Sequence, residues 1–445
     1  MSRINTNTQS LIAQRVLSQN NTSLGVALER LSTGAKINRG KDDPAGLIAS
    51  ENLRAEQKAL NQAISNADRT DQVVNIAEGG LQEVSSMLTE LQGLLTATAS
   101  SAGLSNEEKQ ANQLQIDSIL QTIDRVSSST NFQGIKLLNG NFDFKVEGVA
   151  SGVSDFRVNA AKFSGSSLAV DVQITGSAQQ AGVFLSAGGT SLDINTGSSF
   201  VVEVSGSKGS RELSFASGTT LAKVADAINT FTDVTGVSAT VSGTGIRMTS
   251  NEFGSAEFVS VKVINSAGIN ETANGDSASP ARGIYNLNST DFAIASTSGA
   301  TTFASAGNGV TDKGQDIRAT INGIYAVASG KTARINSDFL DVELTLSTTA
   351  AQTLGNVGSG GGAAFTVTGG GAEFQLAGRV DIAGKVSLGI QDVATRKLGN
   401  STVGFLDRIG SGKANNIVDG DVNGAQRIVS EAIKQVSGLR GRLGA

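Results

Sequence analysis

Leu53, Leu60, Ala67, Val74, Leu81, Leu88 and Leu95 stand on one seven-residue ladder, and Ile64, Ala77, Val84 and Leu91 follow three or four positions on in successive turns. A strict apolar repeat of this kind belongs to a helix whose seam faces other helices over many turns. Unbroken helix from residue 44 to residue 99 would run roughly 80 Å, beyond the diameter of a small globular domain. Its apolar stripe is too thin for a globular core, so such a rod must complete its burial elsewhere.

A shorter helix precedes it. Leu17, Leu24 and Leu31 are seven apart with Leu28 between the last two, and Gly34 and the polar run to Lys41 end the pattern. Asp42 or Asp43 can then cap the second helix by accepting from its free N–H groups, and Pro44 has the fixed φ of a first helical turn. "SNEE" at 105–108 reads as a capping box, with Ile116, Ile119, Ile123 and Val126 as the stripe of a third helix that folds back along the second.

From about residue 140 to about residue 390 the texture changes to Gly, Ser, Thr and Val in short alternating runs. Phe200, Val202 and Val204 alternate, as do Ile317, Ala319 and Ile321, and Val342, Leu344 and Leu346. These are half-buried strands between Gly-rich turns. One helix interrupts them, "TTLAKVADAINTF", with Leu221, Val224, Ala225 and Ile228 on one face. The loop-like "NETANGDSASPARG" (270–283) divides the middle into two subdomains. Helix returns at the end, where Val429, Ile433, Val436 and Leu443 form a stripe and the pattern stops without a cap, so the natural chain is expected to continue.

The chain therefore reads as α+β. A long antiparallel, coiled-coil-like helical rod is drawn from both chain ends, with a β-rich (α+β) region inserted. The expected divisions are 1–41 (inner helical arm and hinge), 42–140 (N-terminal part of the rod), 141–275 (α+β subdomain), 276–390 (β-rich subdomain) and 391–445 (C-terminal part of the rod).

Composition narrows the function. With no His and no Cys among 445 residues, a Ser-His-Asp triad, a thiol nucleophile, an imidazole zinc site and an iron–sulfur cluster are excluded. No carboxylate pair, Ser/Lys pair or magnesium site has a recognisable spacing, so neither enzyme activity nor a cofactor is expected. A net charge of −5 without a basic cluster argues against nucleic acid. No apolar run is long enough to span a membrane, and "MSRINTNTQS" has no apolar signal-peptide core. The chain is either cytosolic or exported by another route.

Two motifs invite sharper readings. "DGDVNG" (419–424) opens like a calcium loop, but position twelve is Ser430, with Glu431 one place late, so a turn capping the last helix is preferred. "VGSGGGAAFTVTGGG" (357–371) lacks the Lys-Ser/Thr ending of a phosphate-cradling loop and reads as a flexible loop.

"LERLSTGAKINRGKDDPAGLIASENLRAE" (28–56) resembles the N-terminal signature of bacterial flagellins, and "TNFQGIKLLNG" (130–140) resembles the close of their N-terminal helical region. "AINTFTDVTGVSATV" (227–241) and "ATINGIYAVASGKTARI" (319–335) are similar to a short repeat of flagellin and hook-associated insertions. "AQRIVSEAIKQVSGLRGRLGA" (425–445) resembles the start of the flagellin C-terminal helical region. The resemblance implies a structural subunit of the flagellar filament, exported unfolded, extracellular, and polymerising with itself. An export chaperone and cap and junction proteins would be its partners, with no nucleic acid or membrane. The variable middle would face solvent and accept glycans on Ser or Thr.

On this reading Leu53, Leu60, Val74, Leu81, Leu88 and Leu95 pack the rod, Leu17, Leu24, Leu28 and Leu31 form an inner layer, and residues 34–41 are a hinge. Two departures from the family stand out. The family's chain continues past the end of this sequence into the rest of one long helix and a terminal arm that pairs with residues 1–33, so a continuation is expected. Glu90 also stands where many flagellins carry the Arg of the surface read by the animal innate receptor, although Leu94 fits the pattern. The other readings are a hook–filament junction protein and a surface adhesin; aromatics at 4% weaken the latter.

Overall fold

The computed structural model describes residues 7–99, 104–163, 165–194, 197–267, 282–286 and 301–444. It is a mixed helical and stranded chain that divides into two compact units. One comprises the chain up to Gln72 together with 374–386, and the other comprises 73–373 and 387–445.

In the first unit, α1 (Thr8–Thr33) opens at Asn7, whose side chain accepts from the Ser10 N–H, and ends at Gly34. Gly34 lies at φ 68° and returns its N–H to the Arg30 carbonyl. That left-handed conformation is where glycine costs least. α2 (Pro44–Thr98) is one continuous helix of 55 residues, and its segment up to Gln72 belongs to this unit. Segment 374–386 lies against it, with Asn66 donating to the Gln375 carbonyl at 3.1 Å.

The second unit holds a helical core. Ala77, Leu81, Val84, Leu88, Leu91 and Leu95 of α2 are buried, as are Ile116, Ile119, Leu120 and Ile123 of α3 (Asn106–Ser129). α3 begins with the expected capping box: Ser105 Oγ accepts from the Glu108 N–H and Glu108 Oε2 accepts from the Ser105 N–H. A two-stranded hairpin follows, Asn131–Phe132 with Ile135–Lys136, turning through Gln133 and Gly134 at positive φ. It leads into buried Leu137 and Leu138.

Residues 144–370 form antiparallel sheets around two apolar cores. In one, the strand order is Val237–Ser242, Gly245–Ser250, Gly182–Ser186, Gly283–Asn286, facing a second sheet ordered Val310–Lys313, Phe258–Asn265, Ser199–Gly206, Gly209–Ala216. α4 (Leu221–Thr230) caps this core with Leu221, Val224, Ala225 and Ile228, the face expected from its spacing. A single turn, α5 (Thr232–Thr235), follows. The other core gathers Val153–Ala161, Val172–Gly176, Arg318–Ile321, Thr332–Asn336, Leu340–Leu346 and α6 (Thr348–Gln352).

This arrangement differs from the expected division into 141–275 and 276–390. The first core, 181–306, is nested inside the second, which is built from 144–178 and 317–367. Pairing is the reason: Gly283–Asn286 adds to Val183–Ser186, and Val310–Lys313 adds to Phe258–Val261, so strands beyond residue 280 complete the earlier sheets. Most of the loop at 270–283 lies outside the described residues.

The glycine-rich stretch 357–371 is corrected too. Phe365–Gly370 is the central strand between Phe144–Glu147 and Leu168–Val170, with Phe365 and Val367 fully buried. Gly370 is at φ 87°, and a Cβ there would stand 2.2 Å from the Asp143 carbonyl. A Cβ on Gly371 would meet the Phe144 ring at 2.6 Å. The glycines serve close strand approach, which composition alone reads as looseness.

α7 (Val422–Leu443) closes the described chain. Its buried stripe is Ile428, Val429, Ala432, Val436, Leu439 and Leu443, and Ile433 is only half-buried. Asp421 caps it, accepting from the Gly424 N–H at 2.9 Å, so the "DGDVNG" segment is engaged in helix initiation.

Candidate assembly surface

Among the described residues, α1 contributes no buried side chain. Leu17, Leu24, Leu28 and Leu31 are all exposed, Leu31 at 80%, and Leu11, Ile12 and Val16 extend the apolar surface toward its start. On α2, Leu53, Leu60 and Ile64 are exposed in the first unit. Val74 is half-buried, and Leu81, Leu88 and Leu95 are buried in the second unit. The heptad ladder thus has two physical states along one helix. Its later members are buried within the chain, and its earlier members are exposed among the described residues. Burying a leucine of this kind is worth about 1.5–3 kcal/mol.

The connection between α1 and α2 is shaped by two aspartates. Asp43 caps α2, its Oδ1 accepting from the Gly46 N–H at 2.9 Å, with Pro44 as the first helical residue. Asp42 turns back instead, accepting from the Arg39 N–H at 3.0 Å and the Asn38 N–H at 3.2 Å. These two backbone bonds hold its carboxyl below the usual carboxylate range. Arg39 reaches Glu29 of α1 at 3.0 Å. A side chain on Gly46 would collide with Asp43 and Ile37.

Glu90 is exposed and accepts from Gln115 Nε2 of α3 at 3.1 Å, while Leu94 is half-buried.

Several residues that join α3 to the C-terminal stretch escaped the sequence reading. Gln113 is buried, donates to the Ile409 carbonyl at 3.0 Å and accepts from the Ile417 N–H at 2.9 Å. Asp124 accepts from the Thr395 N–H at 2.8 Å, and Asp117 from the Ser411 N–H at 2.9 Å. Ser127, also buried, donates to the Leu138 carbonyl at 2.9 Å. A signal was present: Gln113 and Ser127 sit on the apolar column of Ile116, Leu120 and Ile123, where a polar residue needs a buried partner. Arg440 of α7 is paired with Glu78 of α2 at 2.8 Å.

Residues 4–143 match the bacterial flagellin N-terminal helical region, which takes in α1, α2, α3 and the hairpin behind them. Over that region the chain is similar to the bacterial flagellins. Residues 199–252 further match the flagellin hook IN motif, the stretch holding α4 and four strands of the nested core. Flagellin FlaB1 of Treponema pallidum (strain Nichols) is 34% identical over 158 residues, 35% of this chain and 55% of that protein. The flagellin of Serratia marcescens is 33% identical, with 42% of this chain and 53% of that protein covered. The flagellin of Xenorhabdus nematophila is 38% identical, with 31% and 44% covered. The chain thus spans about half the length of the relatives it matches. Among solved structures, FliC from Burkholderia pseudomallei aligns at 12% identity over 84% of this chain and 97% of that one, with a TM-score of 0.27. The flagellar cap protein FliD D1-D2-D3 domains from Escherichia coli align at 18% identity over 65% of this chain and 64% of that one, with a TM-score of 0.28. Superpositions this loose say nothing of function.

No described helix is long and apolar enough to cross a membrane.

Proposed function

We propose that the protein is a structural subunit of the bacterial flagellar filament. It acts by self-association rather than by chemistry, and works outside the cell after export in an unfolded state. The observation that carries this reading is the exposed leucine column of α1 and early α2, lying within the flagellin N-terminal helical region. An apolar surface of that length needs covering by other helices, and in a filament identical subunits supply them. Leu17, Leu24, Leu28 and Leu31 would form the inner layer. Leu53 and Leu60 would complete a coiled-coil-like rod whose buried continuation is Leu81, Leu88 and Leu95. The Asp42–Asp43–Pro44 hinge would set the angle between the two layers.

The nested β region would project from the wall. Cap and junction proteins would meet growing or terminal subunits, and an export chaperone would hold the exposed helices before export. Glu90, engaged with Gln115, offers a carboxylate where an arginine is common in the family, so the innate-receptor surface would be altered here.

Seeded growth tests the proposal. The protein is added to fragments of homologous filaments, alone and fused to the C-terminal helical region of a homologous flagellin, and followed by sedimentation and electron microscopy. Filament extension by either form supports it. A folded β region with no sedimenting polymer in both forms sinks it.

A further inference from the structure

The sequence holds five Asn–Gly pairs: 139–140, 274–275, 308–309, 322–323 and 423–424. The second lies outside the described residues. In such a pair the glycine N can attack the asparagine Cγ, forming the N–Cγ bond of a succinimide and expelling ammonia. Water then opens the ring to aspartate or isoaspartate. The lack of a glycine side chain leaves the approach open, but two features oppose it: a glycine N–H already committed to an acceptor, or an asparagine amide held away.

Three described pairs are opposed in this way. Asn322 is clamped across the strands, with Nδ2 donating to the Ala169 carbonyl at 3.2 Å and Oδ1 accepting from the Asp171 N–H at 2.7 Å. The Gly309 N–H is bound to the Ala306 carbonyl at 3.0 Å. The Gly424 N–H is bound to Asp421 Oδ1 at 2.9 Å inside the first turn of α7.

Asn139–Gly140 has neither protection. Its amide takes only a 3.3 Å contact from the Asn141 N–H, the Gly140 N–H has no acceptor among the described residues, and both residues are partly open to water. We propose that Asn139 is a site of spontaneous deamidation in the folded protein. The product falls at a joint. Leu137 and Leu138 immediately before it are buried. A Cβ on Gly140 would lie 3.4 Å from the Asp392 side chain, whose Oδ1 accepts from the Ala394 N–H at 2.9 Å and from Ser127 at 3.4 Å. Conversion therefore adds a negative charge at the residue before Gly140, whose own position faces Asp392, and the isoaspartate form also lengthens the backbone where the helical region meets the β insertion.

The test is peptide mapping by mass spectrometry of the whole protein aged in mildly alkaline buffer, native and in urea, with isoaspartate scored by methyltransferase labelling. In the native protein the 139–140 peptide should convert several-fold faster than those carrying 308–309, 322–323 and 423–424, and in urea the four rates should converge. An Asn139→Gln variant should lose the signal from that peptide while the other peptides keep their rates. The proposal falls if native Asn139 converts no faster than the three protected pairs. It falls equally if the ranking is unchanged in urea, because the fold would then not be its cause.

Discussion

Gly80 and Gly93 stand on the same helix, yet only one has room for a side chain. A Cβ on Gly80 would meet Leu138 Cδ1 and Thr130 Oγ1, each at 2.8 Å, whereas Gly93 has nothing within 4 Å. Alanine gains about 0.5–1 kcal/mol over glycine within a helix, and forcing a methyl into a packed site costs about 1–3 kcal/mol. Gly93→Ala should therefore raise the urea midpoint, while Gly80→Ala should lower it because Leu138 is fully buried and cannot swing aside. Equal shifts in one direction would show that the hairpin is not packed on α2 as described. Asp143 offers a second test at this scale. Burial pushes its carboxyl above the usual range, outweighing the Phe144 N–H bond that lowers it. A carboxylate with a raised folded value takes up its proton in the folded state before the unfolded one. Its charge thus costs stability at neutral pH, and the cost is relieved as pH falls through the folded value. Asp143→Asn should reduce whatever stability the protein gains between about pH 7 and about pH 4.5, measured as urea midpoints. An unaltered pH profile would count against the burial. The glycines at 80 and 93 look alike in the sequence, since only the return of the chain at 130–138 tells them apart.

Helix starts were the most legible elements, because a cap is a local bond. Ser105 with Glu108 and the Leu221 face of α4 follow directly from residues three and four apart. At the α2 start the residue types left Asp42 and Asp43 equivalent, and the chain path separates them: Asp43 reaches forward to Gly46 and Asp42 back to Arg39. Asp43→Ala should cost about 1 kcal/mol of helix stability and fray the α2 start, seen as faster amide exchange at residues 45–47. If exchange instead rises first at residues 38–39, the capping roles are reversed. Strand partners were not legible. Alternation marked Ile317–Ile321 and Val342–Leu346 as half-buried, but nothing in an alternating run names the strand it pairs with. The nesting of one core within the other rests on contacts between residues about a hundred positions apart or more, such as Ile284 with Leu185 and Ile321 with Val172 in register. The central strand Phe365–Gly370 was hidden for a related reason: its Gly370 answers to the neighbouring backbone.

For the whole molecule, the proposed function makes the leucine ladder separate folding from assembly. Leu81 is fully buried and Leu24 is 59% exposed, although both occupy the same kind of heptad position. Leu81→Asp puts an unpaired charge in the helical core and should cost at least ~3 kcal/mol, with loss of helicity and of any polymer. Leu24→Asp combined with Leu28→Asp alters only solvated positions of α1, so the unfolding free energy from urea titration should stay within about 0.5 kcal/mol of the parent. The same pair should nevertheless abolish growth on filament seeds, because each aspartate would be desolvated against a neighbouring subunit without a partner. The two variants thus give different signatures, one losing fold and assembly together and the other assembly alone. If the α1 pair grows filaments at the parental rate, the exposed column is not the assembly surface. If it unfolds the protein instead, α1 is held by intramolecular packing, and the exposed column already has its partner.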